Sequence, residues 1–394
     1  MKYFVSFVLI IALSTVSAQA ETTSELIFPL QGQHVHASSV EELPNGDLIS
    51  VWFQGSGERS ANDVRVMGAR LKKGASTWST PFLMADTPDI PDCNPVLYMD
   101  AQDRLWLIWI VVQSNRWEHS ILKYKRADDL GESGPPNWNW QDIILLKPSE
   151  ELGQQLRAGV RATEYDEGMW AEYAPQYSKM LEEAAKDPHK RDSGWMTRTR
   201  PITLVSGRIL IGLYSDGFNT SLVAISDDQG ETWKASAPMV GLAPIQPTLA
   251  QRKNGDILAY CRDSGPSPGR IMLGISKDDG ETWSVAKDTD IPNPGSSVAV
   301  TVLKDGRWVM VFNDTERGRH QLAITLSEDE GRTWPWKQYL DRAEHNDIGS
   351  YSYPTVMQGK DGRIHVTYSH VTKKGPGPTG AAIKHVTLEA DSIK

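Results

Sequence analysis

The chain predicts an all-β fold, a six-bladed β-propeller with one helical insertion between blades. Two repeats and one interruption carry that prediction. An acidic octapeptide recurs as SDDQGETW (226–233), SKDDGETW (276–283) and SEDEGRTW (327–334), 50 and 51 residues apart. A second series of tight turns runs from end to end: PNGDL (44–48), AQDRL (101–105), VSGRI (205–209), KNGDI (253–257), KDGRW (304–308) and KDGRI (360–364). Each turn is a hairpin signal flanked by alternating apolar residues, such as Ile257, Ala259 and Cys261 after the fourth. Units of this length, rich in turns and tryptophan, fit four-stranded blades.

The elements follow in chain order. Residues 1–20, MKYFVSFVLIIALSTVSAQA, carry an early lysine, a short apolar run and the small-residue pattern Ala18-Gln19-Ala20. They read as a cleavable secretory signal, which makes the protein secreted or periplasmic and leaves 21–394 as the mature propeller. The apolar run is too short for a membrane anchor. The stretch ELIFPL (25–30) is expected to supply the outer strand of the last blade and close the ring. Between the second and third turns the interval is about double, and residues 148–190 are rich in Leu, Glu, Ala, Gln and Met. That is helical composition, expected to form a lid or rim over a binding face, with a passive decoration as the alternative.

Net charge is −9 with no basic tract, which argues against a nucleic-acid partner. Cys93 and Cys261 are the only cysteines; export would permit a disulfide between them, and two buried free thiols are the other reading. No metal-ligand spacing or phosphate loop stands out, so no cofactor is expected.

In S-x-D-x-G-x-T-W every conserved letter of the repeat has a structural task. The serine and aspartate tie their own turn, the glycine takes positive φ, and the tryptophan packs beneath the blade. Identical copies occupy symmetry-related places, whereas a site needs unlike groups on one spot. In a propeller the innermost strands start near the axis, and counting back from each turn gives His36, Asn94, Arg200, Gln246, Ser297 and Tyr353 as a polar ring. Loops after the second strands add Glu58, Arg59 and Asp63, then Arg262, Arg317 and Arg319. The arginines suit an anionic group such as a sugar carboxylate or sulfate.

The octapeptide is the Asp-box, and the chain resembles the sialidase superfamily over most of its mature length, in particular its BNR-repeat, sialidase-like branch. The resemblance extends through IQPTLAQRKNGDILAYCRD (245–263), NPGSSVAVTVLKDGRWVMVFND (293–314) and SYPTVMQGKDGRIHVTY (352–368). It implies Tyr353 as nucleophile, Arg262 and Arg319 as the second and third carboxylate-binding arginines, and Glu58 or Asp63 as acid/base. It departs from the family at two places. His36 stands where the first arginine is expected, and Gln246 stands where a glutamate activates the tyrosine.

An amide cannot take a proton from a phenol of ordinary pKa about 10. The residues therefore leave three readings open for an acidic oligosaccharide or polysaccharide partner. They are exo-hydrolysis of a terminal acidic sugar, elimination by a His36/Tyr353 pair, and binding without catalysis.

Overall fold

The computed structural model describes residues 22–163 and 177–394, so the secretory signal expected over 1–20 lies outside the described residues. Six antiparallel sheets follow one another in chain order and form a ring of blades. Blade 1 runs His34–Glu42, Leu48–Gly55, Arg65–Leu71, Phe82–Ala85, and blade 4 repeats the pattern with Pro244–Gln251, Ile257–Asp263, Arg270–Ser276, Lys287–Pro292. The ring closes as the sequence predicts. Thr23–Leu26 pairs antiparallel with Gly380–Leu388, making the N-terminal segment the outer strand of blade 6. The paired stretch begins slightly earlier than 25, and Ile27 and Gln31 continue the contact through backbone hydrogen bonds to Ile383 and Ala381.

The cores are layers between neighbouring blades. Ile49, Val51, Leu107 and Trp109 fill the space between blades 1 and 2, and Leu258, Tyr260, Trp308 and Met310 that between blades 4 and 5. Trp52, Trp106, Trp109 and Trp308 are fully buried, and truncating one such side chain costs about 3–5 kcal/mol. Cys93 and Cys261 are buried free thiols.

Because strands alternate direction, the turns after first and third strands share one face, and the loops after second strands share the other. The three Asp-boxes thus lie on the face with the NGD-type turns. In each, serine Oγ donates to the aspartate at 2.8–2.9 Å and accepts from the glycine N–H at 2.7–2.9 Å. The aspartate also accepts from the threonine N–H. The threonine Oγ1 donates to the aspartate as well, and that bond with the others holds Asp228 down at about 2 and outweighs burial to hold Asp329 there too. The glycines stitch blade to blade. A Cβ on Gly230, whose φ is +88°, would lie 2.4 Å from Trp106 of the preceding blade, and one on Gly331 would lie 2.3 Å from the Tyr260 hydroxyl.

The insertion forms α1 (Leu152–Arg161), α2 (Tyr177–Ala185) and α3 (Pro188–Asp192). Leu152, Leu156 and Val160 of α1 and Leu181 and Ala185 of α2 join the core layer between blades 2 and 3. Gly159 approaches so closely that a Cβ would meet Val240 at 2.3 Å. The Tyr177 hydroxyl donates to the Phe218 carbonyl at 3.4 Å, in a loop on the face opposite the Asp-boxes. Among the described residues of the insertion none lines the axial cavity on that face. The described helices pack on the layer between blades 2 and 3, and the rest of the insertion expected to form a lid or rim, residues 164–176, lies outside the described residues. Among the described residues no helix is long and apolar enough to cross a membrane.

Candidate active site

The ring position is set by a fixed count. Each first-to-second-strand turn contains a residue at positive φ: Gly46, Asp103, Gly207, Gly255, Gly306 and Gly362. Nine residues before each stand Ala37, Asn94, Arg198, Gln246, Ser297 and Tyr353. In four blades this residue is itself left-handed, with φ of 55° at Ala37, 49° at Asn94, 53° at Gln246 and 55° at Tyr353. The inner strand bulges at the same point in each of these blades. Such conformations in non-glycine residues cost about 1–3 kcal/mol each and persist only where their surroundings impose them. The bulge turns the side chain off the sheet and toward the axis.

Two expectations from the sequence are corrected by this count. In blade 1 the ring residue is Ala37, and His36 is its neighbour. In blade 3 it is Arg198, and the inner strand there is split into Met196–Thr197 and Ile202–Thr203 around it. Arg200, two residues along, leaves the site altogether. It donates to the buried Glu41 at 2.6 Å and lines a separate cavity with Tyr98 and Val356.

A cavity of about 440 Å³ opens at the axis on the face away from the Asp-boxes. His36, Glu58, Asn94, Gln246, Arg262, Arg319 and Tyr353 line it, together with Trp117, Tyr214, Asp216, Asn219 and Ser264. Ser297 is fully buried outside the lining, because its blade has no equivalent bulge to turn it inward. Asp63 also stays out, since its carboxylate accepts from the Ser56 N–H and Oγ within its own loop.

Tyr353 is the centre of the arrangement. Its hydroxyl oxygen accepts from Arg262 Nη1 at 2.8 Å and from Gln246 Nε2 at 3.2 Å. The guanidiniums of Arg198 and Arg319 lie 4.9 and 5.2 Å from its ring centroid, and the His36 ring centroid is 4.1 Å away. Burial alone would push this phenol up, but Arg262, Arg319 and the Gln246 hydrogen bond outweigh it and hold Tyr353 below the ordinary tyrosine value. The second phenol behaves oppositely. Tyr214 accepts from Asn94 Nδ2 at 3.1 Å and is pushed far up, by burial first and then by Asp216.

Burial, and then the surrounding arginines, drives His36 well below its usual value, so its imidazole is neutral at physiological pH. Burial raises Asp216 despite Arg262. Arg319 donates to the Gly295 carbonyl at 2.9 Å, which fixes its guanidinium over Tyr353. Among the described residues no group of three His, Cys, Asp or Glu side chains is arranged to hold a metal.

Tyr214, Asp216, Trp117 and Asn219 were not read from the sequence. A signal existed for two of them. Tyr214 stands seven residues and Asp216 nine residues after the blade 3 turn glycine, the positions Arg262 and Ser264 take after Gly255.

The BNR repeat-like domain matches this chain over residues 46–173 and 183–366. The chain belongs to that family. No curated protein sequence resembles it closely enough to count as a relative. Among solved structures it is similar to a protein of unknown function from Dyadobacter fermentans, at 18% identity over 94% of this chain and 99% of that one, with TM-score 0.66. It is similar to the NanB sialidase of Streptococcus pneumoniae at 13% identity, over 94% of this chain and 71% of that one, with TM-score 0.67. The intramolecular trans-sialidase of Ruminococcus gnavus, solved with oseltamivir carboxylate, matches at 14% identity over 93% and 96%, with TM-score 0.65. Identities this low establish a shared sialidase-like six-bladed propeller.

Proposed function

We propose that this BNR-repeat propeller is an exported glycosidase that removes a terminal acidic sugar, a uronate or a sulfated or sialic-acid-like residue, from a glycan. One observation carries the reading: the Tyr353 hydroxyl is gripped by Arg262 at 2.8 Å inside a cavity that also holds Arg319 and two carboxylates, Glu58 and Asp216. The arginines suit the anionic group of the sugar. Tyr353 in its ionised form attacks the anomeric carbon through its oxygen as the bond to the leaving oxygen breaks, and the leaving oxygen takes the Asp216 proton. Water then attacks the same carbon, Asp216 takes a proton from it, and the Tyr353 oxygen departs. Asp216 is the better donor because burial favours its protonated form.

A second reading has its own support. The neutral imidazole of His36 lies against Tyr353, and an amide occupies the place where the family's activating glutamate is expected. That combination suits proton removal from the carbon beside a uronate carboxylate, with elimination of the neighbouring sugar.

The test is a panel of sialylated, glucuronate-capped and sulfated oligosaccharides, read by product mass and by the ultraviolet absorbance of an unsaturated uronate. Products that together gain one water support hydrolysis. Growing absorbance with no gain of water supports elimination and overturns the first reading. Binding of a panel member with no products at any enzyme concentration overturns both and leaves a glycan-binding propeller.

A further inference from the structure

Arg198 fills the ring position of blade 3 and is 1% exposed. Its Nη2 donates to the carbonyl of Pro354, the residue after Tyr353, at 3.2 Å, while its Nε and Nη1 meet no hydrogen-bond acceptor among the described residues. Its guanidinium lies against one side of the Tyr353 ring at 4.9 Å. Arg262 bonds the hydroxyl of the same ring and Arg319 lies over it. Among the described residues none of these three guanidiniums is within ion-pair distance of a carboxylate. A buried cation without a counter-charge costs several kcal/mol; Arg198 is such a cation, and the partly buried Arg262 and Arg319 add their charges around the same phenol oxygen and ring.

The other charged or titratable groups facing Tyr353 are few. Blade 1 presents His36, His34 and Glu58, and blade 3 presents Tyr214 and Asp216. His36 is neutral, Tyr214 keeps its proton, and Asp216 leans toward its protonated form. Glu58 is the other carboxylate facing the three guanidiniums. The phenol oxygen receives two N–H donors, from Arg262 and Gln246, an environment that favours the anion over the hydroxyl.

We propose that Tyr353 rests as a phenolate whose charge is matched by Arg198, Arg262 and Arg319, so that no carboxylate is needed to take its proton before it reacts. Arg198 is a positioning residue in this account, buried outside the cavity lining and acting through the tyrosine. Gln246 is then the fitting partner, because its N–H serves a phenolate while a glutamate would repel one. The inference rests on the reading of Tyr353 as the reacting group, but its test needs no substrate.

Ultraviolet difference spectra of the intact protein against Tyr353→Phe isolate one of the chain's 12 tyrosines. The expected result is one phenolate equivalent present near neutral pH in the wild type and missing from the variant. Arg198→Met should move that titration up by roughly one to three pH units, and Arg198→Lys should restore much of the shift. Should Arg198→Met fail to fold, the Tyr353→Phe difference and Arg198→Lys still decide. A difference spectrum that stays flat until about pH 10, where ordinary tyrosines ionise, overturns the proposal. A phenolate together with an untouched glycan panel would overturn the glycosidase reading and leave this one standing. Turnover with a protonated tyrosine would do the reverse.

Discussion

The Asp-box turns and the axial ring occupy opposite faces of the same repeat, and they use repetition in opposite ways. The turn residues are the same three times over, and so are their bonds, serine to aspartate at 2.9, 2.8 and 2.8 Å. The ring residues share a backbone position and in four blades a bulge, yet their side chains are Ala37, Asn94, Arg198, Gln246, Ser297 and Tyr353. A symmetric scaffold needs the first kind of position to close, and a site needs the second kind to gather unlike groups around one atom. Asp228 and Tyr353 both sit below their ordinary pKa values, for different reasons. Asp228 is held down by hydrogen bonds within its own turn, whereas Tyr353 is held down by charges brought from neighbouring blades.

The contrast breaks most visibly where blades touch. Gly230→Ala forces a side chain into positive φ and into Trp106, and should lower stability by about 3 kcal/mol or more, read by urea unfolding, with turnover per folded molecule unchanged. Gln246→Glu sets a carboxylate against Tyr353 and should cut turnover by about 10-fold, the effect of roughly 1.4 kcal/mol lost at one polar contact. Its melting temperature should stay near that of the wild type.

The turns should show themselves in acid. Asp228 and Asp329 titrate at about 2 when folded, below the ordinary 3.8. Their contribution is therefore complete above 3.8 and lost as pH falls toward 2. The double variant Asp228→Asn, Asp329→Asn should flatten the melting temperature across that window. The smallest effect is expected at Arg200→Lys, which keeps the charge beside Glu41 and lies outside the site, so turnover should not change measurably.

The period of the turns carried the blade number and located the interruption, while ELIFPL (25–30) and the composition of 148–190 pointed to ring closure and to helix. The ring was legible in four blades, where Asn94, Gln246, Ser297 and Tyr353 stand nine residues before the turn. It was misread where a more conspicuous polar residue stood nearby, His36 beside Ala37 and Arg200 beside Arg198. His36 still reaches the cavity because the bulge at Ala37 leaves it next to Tyr353. Arg200 does not, because it lies in the gap between Met196–Thr197 and Ile202–Thr203, where Glu41 takes its guanidinium. Glu58 and Trp117 come from loops whose lengths vary from blade to blade, so no count along the repeat predicts what they meet.

The central claim is that chemistry belongs to the unlike ring around Tyr353 and not to the repeated turns. It is tested most directly by measuring turnover and melting temperature on Tyr353→Phe and Asp278→Asn side by side, with whichever oligosaccharide of the panel the wild type cleaves. Tyr353→Phe should lose about 100-fold or more in turnover and melt like the wild type, while Asp278→Asn should melt lower and keep its turnover per folded molecule. Normal turnover in Tyr353→Phe, or turnover lost in Asp278→Asn without a change in melting, would contradict the account.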